Sequence, residues 1–244
     1  MEFKDFIQRQ KAKWQTVPTS RYGRSISSEL LALPDREFLE AWKEHDRETG
    51  SASVRGWYRE RYREEVKGKE IVDLGCGFSV DGIYFLEAGA QVIFADIVPA
   101  NLSLVKRVVN LRGLKMSSCR FVHLENPLEP VLPGPVDMIF AVGSLHHKPF
   151  AWARQEVSTL TSFVRPGGKF CLFTYPWERF FESGALDFSE FGKKTDGAET
   201  PWAEWYDQPK VLHLFENLDF SLTYDKKFGS YEKEFIWHEL TKQK

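Results

Sequence analysis

The sequence contains little cysteine and lacks any long apolar run. Three of its 244 residues are cysteines, Cys76, Cys119 and Cys171, with neither a C-x-x-C pair nor metal-ligand spacing. This pattern excludes a disulfide scaffold and favours a reducing cytoplasm. No apolar stretch approaches the roughly 20 residues of a membrane-spanning helix, and Met1 to Trp14 carries charges throughout. We therefore expect a cytoplasmic protein without a membrane segment.

The sequence also lacks a strong charge of one sign. Its net charge is -2 and its pI about 6.3, so no global field attracts nucleic acid or an anionic membrane. What it does contain is typical of a globular protein, with 42% hydrophobic, 15% aromatic and 28% charged residues. These numbers favour one catalytic domain and a small-molecule substrate over a nucleic-acid partner.

The chain divides at residue 70 into two regions of different pattern. Residues 1–69 are charged and helix-prone, and Pro and Gly residues divide them into about three helices, which predicts an N-terminal helical cap. The last helix, with Ser53 as its N-cap, carries an apolar stripe that includes Trp57, Tyr58, Tyr62 and Val66.

From Glu70 onwards, short β-rich runs alternate with helical segments. The predicted strands are 71–74, 91–97, 119–124, 136–142 and 169–175, and the predicted helices between them are 80–86, 99–111 and 149–164. A helix at 208–217 and two strands at 220–226 and 234–240, close enough for an antiparallel hairpin, follow. This order predicts an α/β domain over 70–244 with a mostly parallel sheet.

One segment, residues 176–207, interrupts the alternation and is dense in aromatic residues. Together with the Trp57 and Tyr58 stripe, it is expected to contribute to a cap over a substrate pocket. Ordinary hydrophobic packing is the alternative for each aromatic residue taken singly, and the same surface suits a homodimer contact.

The motif Asp73-x-Gly75-x-Gly77 follows the first strand of the alternating region. Its glycines allow a sharp turn beside a ligand, and the next helix offers free N–H groups. Asp96 ends the second strand, where a carboxylate accepts both hydroxyls of a ribose. Ligands of open α/β sheets bind outside the C-terminal strand ends, where Gly75, Asp96, Glu125 and Val142 are expected to converge.

These motifs resemble those of the class I S-adenosylmethionine-dependent methyltransferases. The resemblance rests on Val72-Asp73-Leu74-Gly75-Cys76-Gly77, Asp96, Val136 to Phe140 with Leu145-His146-His147, and Leu160 to Gly168. It implies a Rossmann-like sheet of seven strands, six parallel and the last antiparallel, with helices on both faces, that binds S-adenosylmethionine. By this resemblance the Asp73 to Gly77 turn, including Cys76, flanks the methionine moiety, Asp96 the ribose, Ile97 the adenine face, and Glu125 or Asn126 the adenine amino group.

One departure from the family pattern is Phe78-Ser79, where many relatives continue with a third glycine or a threonine-glycine pair. Ser79 is expected to cap the following helix. A nicotinamide-dependent fingerprint needs glycine at position 80, which is Val80, and no Gly-Lys-Ser/Thr of a phosphate loop is present. Both alternatives are therefore disfavoured.

His146 and His147 follow the fourth strand of the alternating region, at the rim where the transferred methyl group is expected. His146 is a candidate general base or a pocket-lining residue, and a chemical role for His147 is less favoured. The scattered histidines show no metal-ligand spacing, so a dedicated metal site is rejected. Further candidates for substrate contact are Tyr22, Arg24, Trp57, Tyr58 and Tyr175.

The sequence thus favours methyl transfer to a hydroxyl or amine of a small metabolite, such as a sugar or a specialised metabolite. The alternatives are a methyltransferase of RNA or protein and a non-catalytic cofactor-binding protein.

Overall fold

The structure is a computed structural model that describes residues 2–19, 23–49 and 55–243. The chain divides into two compact units. The middle unit is Trp14–Leu124, and the terminal unit combines Met1–Lys13 with Glu125–Lys244. The region before residue 70, predicted as one cap, therefore contributes to both units.

The helices and strands follow the alternating order that the sequence predicts from residue 70. The helices are α1 (Phe3–Trp14), α2 (Ser27–Ala32), α3 (Asp35–Thr49), α4 (Trp57–Tyr62), α5 (Val80–Glu87), α6 (Pro99–Leu111), α7 (Phe150–Thr161), α8 (Trp177–Glu182), α9 (Phe188–Asp196) and α10 (Gln208–Leu214). The strands are β1 (Thr16–Pro18), β2 (Arg24–Ile26), β3 (Glu70–Leu74), β4 (Gln91–Asp96), β5 (Cys119–His123), β6 (Val136–Val142), β7 (Val164–Thr174), β8 (Phe220–Phe228) and β9 (Phe235–Lys242). Strands β3 to β9 form the expected seven-stranded, mostly parallel sheet, so the predicted fold class is confirmed.

Within the described residues, no helix is both long and apolar enough to cross a bilayer.

In the middle unit, β4 lies between β3 and β5 and is parallel to both. Ile71 pairs with Val92, and Val92 also pairs with Cys119. Helices α5 and α6 pack on these strands. Since β3 and β4 are almost entirely buried, they read in the sequence as continuous apolar runs instead of alternating ones.

The N-terminal part of the middle unit contains a feature that the sequence analysis missed. Strands β1 and β2 form a short antiparallel hairpin in which Thr16 pairs with Ile26. Three-residue strands leave too few positions for a period of two to stand out. Further along, Tyr58, Tyr62 and Val66 are buried, so the apolar stripe of this region packs as predicted. The proposed N-cap Ser53 lies outside the described residues.

In the terminal unit, the strand order is β6, β7, β9, β8. β6 and β7 are parallel, and β9 is antiparallel to both of its neighbours, which confirms the predicted hairpin. β7 begins at Val164, earlier than predicted. Val164 already pairs with Val136 of β6, and residues 165–168 then bulge out of the ladder before the pairing resumes at Lys169. Gly168 permits this bulge, since a Cβ there would lie 2.6 Å from the Asp137 carbonyl oxygen.

Residues 176–207 form α8, α9 and a connecting segment whose aromatic rings pack mainly on one another. Ring centroids are 5.2 Å apart for Trp177 and Trp205, 5.1 Å for Phe180 and Phe191, and 5.6 Å for Phe188 and Trp202. Most of this aromatic content is therefore packing within the terminal unit.

Candidate functional site

The turn between β3 and α5 has the left-handed backbone that its glycines allow. Gly75 has φ +73° and Gly77 has φ +51°. The N–H groups of Gly75 and Cys76 donate to the Ala95 carbonyl oxygen at 2.8 and 3.1 Å. These bonds fix the turn to the end of β4. The positive φ angles of Gly75 and Gly77 explain why glycine is needed at these two positions.

Ser79, the departure from the family pattern, is also left-handed, with φ +50°. This conformation disfavours residues with a Cβ by roughly 1–2 kcal/mol, so glycine would be favoured at this place. The prediction that Ser79 caps α5 with its side chain was wrong: it stands at the N-cap position without a side-chain capping bond. Its hydroxyl instead donates to Asp73 Oδ2 at 2.5 Å, because the left-handed backbone directs it back towards β3.

Asp73 is buried beneath this turn. Burial raises the pKa of its carboxyl group to about 7, although the hydrogen bond from Ser79 acts in the opposite direction. Gly82, on the first turn of α5, leaves room for this pair. A Cβ on Gly82 would lie 2.5 Å from Asp73 Oδ2, 2.5 Å from Ser79 Oγ and 2.7 Å from Phe94. Sequence reasoning missed Gly82, which the motif spacing does not mark.

Asp96 is buried at the end of β4, and its carboxylate is oriented by backbone and side-chain donors. Oδ2 accepts from Gly77 N at 2.9 Å, and Oδ1 accepts from Val98 N at 2.8 Å and from Asn101 Nδ2 at 3.3 Å. Burial raises the pKa of Asp96, and these hydrogen bonds oppose that shift. Asp96 is thus an internal, oriented carboxylate and not a solvated turn residue.

Asn101 is a second residue that the sequence analysis missed. Besides its contact with Asp96, its Oδ1 accepts from Ser27 Oγ at 2.7 Å and its Nδ2 donates to the Trp14 carbonyl oxygen at 3.1 Å. Its position five residues after Asp96, in the first turn of α6, was the available signal.

The other predicted cofactor residues are divided between the units. Ile97 lies in the middle unit, and its carbonyl oxygen is 3.2 Å from His123 Nε2. Glu125 and Asn126 are exposed in the terminal unit, where Asn126 Oδ1 accepts from Leu128 N at 3.1 Å. Val142 ends β6 and is half-buried.

His146 and His147 lie in a short 3-10 turn after β6, and both are buried. The rings of His147 and Tyr175 lie 4.1 and 4.3 Å from the His146 ring. Neither ring nitrogen of His146 has a well-formed hydrogen bond among the residues described. Burial lowers the pKa of His146 well below its ordinary value, so the ring is neutral.

His147 is held from two sides. Its Nδ1 lies 3.2 Å from the Trp202 carbonyl oxygen, so this nitrogen carries the hydrogen and donates. Gln10 Nε2 of α1 donates to the His147 carbonyl oxygen. The same helix packs Phe3 and Phe6 against the Trp152 ring. The histidine turn therefore depends on contacts from α1 and from the aromatic segment.

Tyr175, the first residue after β7, is mostly buried beside His146. Its hydroxyl donates to Asp196 Oδ1 at 2.8 Å, and the Arg179 guanidinium lies 4.0 Å from its ring centroid. Lys13 Nζ donates to the Asp196 carbonyl oxygen at 2.6 Å. Thus Tyr175 joins the predicted acceptor side of the terminal unit to α9 and α1.

The remaining substrate candidates lie in the middle unit. Arg24 is exposed and donates to Thr16. Tyr58 is fully buried, and its hydroxyl donates to Asp81 Oδ2 at 2.8 Å within an ion-pair network with Arg59. Trp57 lies 5.6 Å from the Tyr58 ring. Tyr22 lies outside the described residues.

Comparison with known proteins matches the region that contains these motifs. Residues 72–170, from β3 to β7, match a family model described as a methyltransferase domain. By this match, residues 72–170 are a methyltransferase domain. The resemblance drawn from the motifs is thereby confirmed, and the match places the Gly75 turn, Asp96 and the histidine turn within the methyltransferase domain.

Curated relatives of the domain are similar over part of their length. The ubiquinone biosynthesis O-methyltransferase of Xanthomonas euvesicatoria pv. vesicatoria is 30% identical over 112 residues, 46% of this chain and 45% of the relative. The enzyme of the same name from Bordetella pertussis is 28% identical over 116 residues, with the same shares. The chain thus spans about half the length of the curated relatives it matches.

Solved structures show the same fold at low identity. Magnesium protoporphyrin IX methyltransferase from Synechocystis PCC 6803, with S-adenosylhomocysteine (SAH) bound, has a TM-score of 0.58 and 17% identity over 78% of this chain and 85% of its own. An S-adenosylmethionine-dependent methyltransferase from Clostridium acetobutylicum has a TM-score of 0.60 and 12% identity over 78% of this chain and 90% of its own. These likenesses establish the fold.

Proposed function

We propose that the methyltransferase domain transfers a methyl group from S-adenosylmethionine to a hydroxyl or amine of a small metabolite. The observation that carries the proposal is the buried, oriented carboxylate of Asp96 beside a glycine turn. Oδ1 is occupied by Val98 N and Asn101 Nδ2, whereas Oδ2 accepts one strong bond, from Gly77 N, beside the weak Cys76 Sγ donor at 3.9 Å; Oδ2 is therefore the oxygen that suits a ribose hydroxyl. The family match over residues 72–170 and the names of the relatives agree with this chemistry.

The residues present fit the cofactor. Asp96 would hold the ribose, the Asp73 to Gly77 turn with Cys76 would hold the methionine moiety, and Ile97, Glu125, Asn126 and Val142 would contact the base or the sulfur region. When bound, S-adenosylmethionine supplies an activated methyl group on a sulfonium. The chain's own contribution is to position that group and to exclude water.

On the acceptor side we propose that His146 is the general base, with His147 and Tyr175 beside it. A neutral imidazole has one nitrogen free to accept a proton, and the lowered pKa of His146 keeps it neutral. Arg24 and Trp57 of the middle unit are proposed as further substrate contacts, but not Tyr58, which is fully buried and donates its hydroxyl to Asp81. The O-methyltransferase names of the curated relatives favour a hydroxyl acceptor. A sugar or specialised metabolite fits this class.

The proposed partner is a small molecule in the cytoplasm, not nucleic acid. A homodimer is the proposed assembly, supported by the apolar surface of Trp177, Phe181 and Leu186, of which Phe181 is 71% and Leu186 91% exposed. Light scattering that gives a monomer mass at micromolar concentration would rule the dimer out.

The test of the function is cofactor binding and methyl transfer by the wild-type protein and by Asp96→Asn. Calorimetry with SAH is expected to show a loss of affinity of at least 10-fold in Asp96→Asn, about 1.4 kcal/mol, because the amide offers one acceptor and no charge. The control is Asp225→Asn, an exposed change on β8, which should leave affinity unchanged.

The same proteins, given tritiated S-adenosylmethionine and a small-metabolite extract, should transfer label to a small product. Label that appears only in RNA or protein would replace the proposal with macromolecule methylation. Tight binding without transfer to any acceptor would indicate a non-catalytic binding protein.

A further inference from the structure

One short segment, Trp202–Tyr206, contacts every predicted acceptor-side residue after β6 and β7. We call it the strap. Its Glu204 N–H donates to the His146 carbonyl oxygen at 2.8 Å, and its Tyr206 N–H donates to the Tyr175 carbonyl oxygen at 2.7 Å. Its Trp202 carbonyl oxygen accepts from His147 Nδ1. The strap therefore fixes the backbone at His146 and Tyr175 and the ring hydrogen of His147.

The Glu204 carboxylate anchors the strap from inside. Glu204 is 3% exposed. Its Oε1 accepts from Phe150 N at 2.9 Å and from Trp202 Nε1 at 3.0 Å, and its Oε2 accepts from Lys210 Nζ at 2.7 Å. Since all three partners are donors, the site suits a carboxylate and no neutral isostere.

Lys210 is itself restrained, which makes the anchor rigid. Its Nζ lies 4.5 Å from the Trp205 ring centroid, 4.8 Å from Tyr206 and 4.9 Å from Phe188. Aromatic faces attract a cation more strongly where water is excluded. The charge pair and the rings together hold the strap at its middle and at its C-terminal end.

His146 depends on such support because its own side chain makes only a poorly formed contact with the Phe173 backbone. Its ring nitrogens have no well-formed hydrogen bond in the part of the chain that the structure describes. Tilted ring contacts with His147 and Tyr175 and the strap's bond to the His146 carbonyl oxygen therefore set the direction of the His146 ring. A base that is misplaced by about 1 Å loses on the order of 100-fold in rate.

We propose that Glu204 is a positioning residue for methyl transfer: through the strap, its buried carboxylate holds the His146–His147 turn in its reactive arrangement. This inference rests on the proposed function of that turn. Nothing in the motif pattern marks Glu204, which stands in the aromatic segment 34 residues beyond the matched domain.

The decisive variant is Glu204→Gln. Its amide places an NH₂ group against donors and removes the charge opposite Lys210, so the strap loosens. We expect kcat to fall by at least 10-fold while the affinity for SAH changes by less than about 3-fold, because the bonds described for the strap go to His146, His147 and Tyr175 and not to the Gly75 turn or Asp96. The matched control is Glu190→Gln, which alters a carboxylate of the same segment that accepts from Leu186 N and pairs with Lys194.

A readout independent of the acceptor comes from ¹⁵N-histidine NMR of the same three proteins. In the wild-type protein and in Glu190→Gln, His147 should keep its hydrogen on Nδ1 and His146 should stay neutral at pH 6. In Glu204→Gln, the His147 tautomer preference should weaken, and the pKa of His146 should rise because a loosened strap admits water to the buried ring. Lys210→Met, which removes the opposing charge from outside the strap, should reproduce both effects if Glu204→Gln does not fold.

The outcomes separate the two proposals. If the wild-type protein transfers no methyl group to any small acceptor, the proposed function fails and the positioning role fails with it. If the wild-type protein is active but Glu204→Gln and Lys210→Met match Glu190→Gln in kcat and in their histidine spectra, the positioning role alone is overturned.

Discussion

The cofactor turn and the histidine turn are built in opposite ways. Around Asp96, the donors come from residues at most 20 positions away, and both carboxylate oxygens accept hydrogen bonds. Around His146 and His147, the partners come from the strap, more than 50 positions away, and from Gln10, 137 positions away. The His146 ring has no well-formed hydrogen bond of its own within the described ranges.

The cofactor turn therefore needs its polar groups for the stability of the fold, whereas the histidine turn does not need the His146 ring for it. A buried polar group whose hydrogen bonds are made contributes to stability, whereas an unpaired one costs about 1–3 kcal/mol. Unfavourable groups of this kind persist where function requires them. Substitutions in the two turns should therefore shift stability in opposite directions.

The largest effect is expected at the close approach behind the cofactor turn. Gly82→Ala forces a methyl group onto Asp73, Ser79 and Phe94, so we expect a loss of about 3 kcal/mol in the free energy of unfolding, measured in urea. Gly134→Ala is the control, since a Cβ there meets nothing within 4 Å. Equal urea curves for the two variants would mean that α5 can move away from β3 without loss.

The next prediction compares one buried polar side chain from each turn. Asn101→Leu removes hydrogen bonds to Ser27, Trp14 and Asp96 and should cost about 2 kcal/mol. His146→Leu removes no well-formed hydrogen bond and should raise the free energy of unfolding by about 1 kcal/mol at pH 7, while it lowers methyl transfer. If His146→Leu is as destabilising as Asn101→Leu, His146 is a satisfied structural residue and the contrast fails.

The pH dependence of the free energy of unfolding gives a second comparison of the wild-type protein with His146→Leu. The pKa of His146 in the folded protein lies well below the unfolded value of 6.5. The neutral folded ring therefore contributes its full stability above pH 6.5, and that stability is lost as the pH falls from 6.5 towards the folded pKa. The stability advantage of His146→Leu should grow over that interval, by up to about 1.4 kcal/mol per pH unit. An advantage that does not change with pH would show that His146 titrates normally.

The smallest effect is expected at Ser79. Ser79→Gly relieves the left-handed strain but loses the bond to Asp73, so the free energy of unfolding should change by less than about 1 kcal/mol. Ser79→Ala loses the bond and keeps the strain, so it should be about 1 kcal/mol less stable than Ser79→Gly. Thermal unfolding of the two variants measures that difference. Equal stability would show that the backbone relaxes in Ser79→Ala.

The strand–helix alternation was predictable because it depends on local pattern. β6 and α6 have the predicted bounds, and the other predicted sheet strands fit except at the start of β7. The bulge at Gly168 was not predictable, since it depends on the close approach of the Asp137 backbone. The short β1–β2 hairpin was missed because three-residue strands show no clear period of two. The direction of the Ser79 hydroxyl was predicted wrongly, because side-chain capping assumes an extended backbone at the N-cap.

By itself, the sequence determined the sheet, the glycine turn with Asp96, and the resemblance to methyltransferases, because each depends on residues close together in the chain or on apolar periodicity. Only the tertiary structure revealed that Gly82 and Asn101 support this turn, that Tyr58 belongs to an internal ion-pair network, and that the strap and α1 enclose the histidines. The contacts of the strap and of α1 with the histidine turn span 55 and 137 positions and leave no periodic trace in a single sequence. They form because folding brings together donors and acceptors that must be paired once water is excluded.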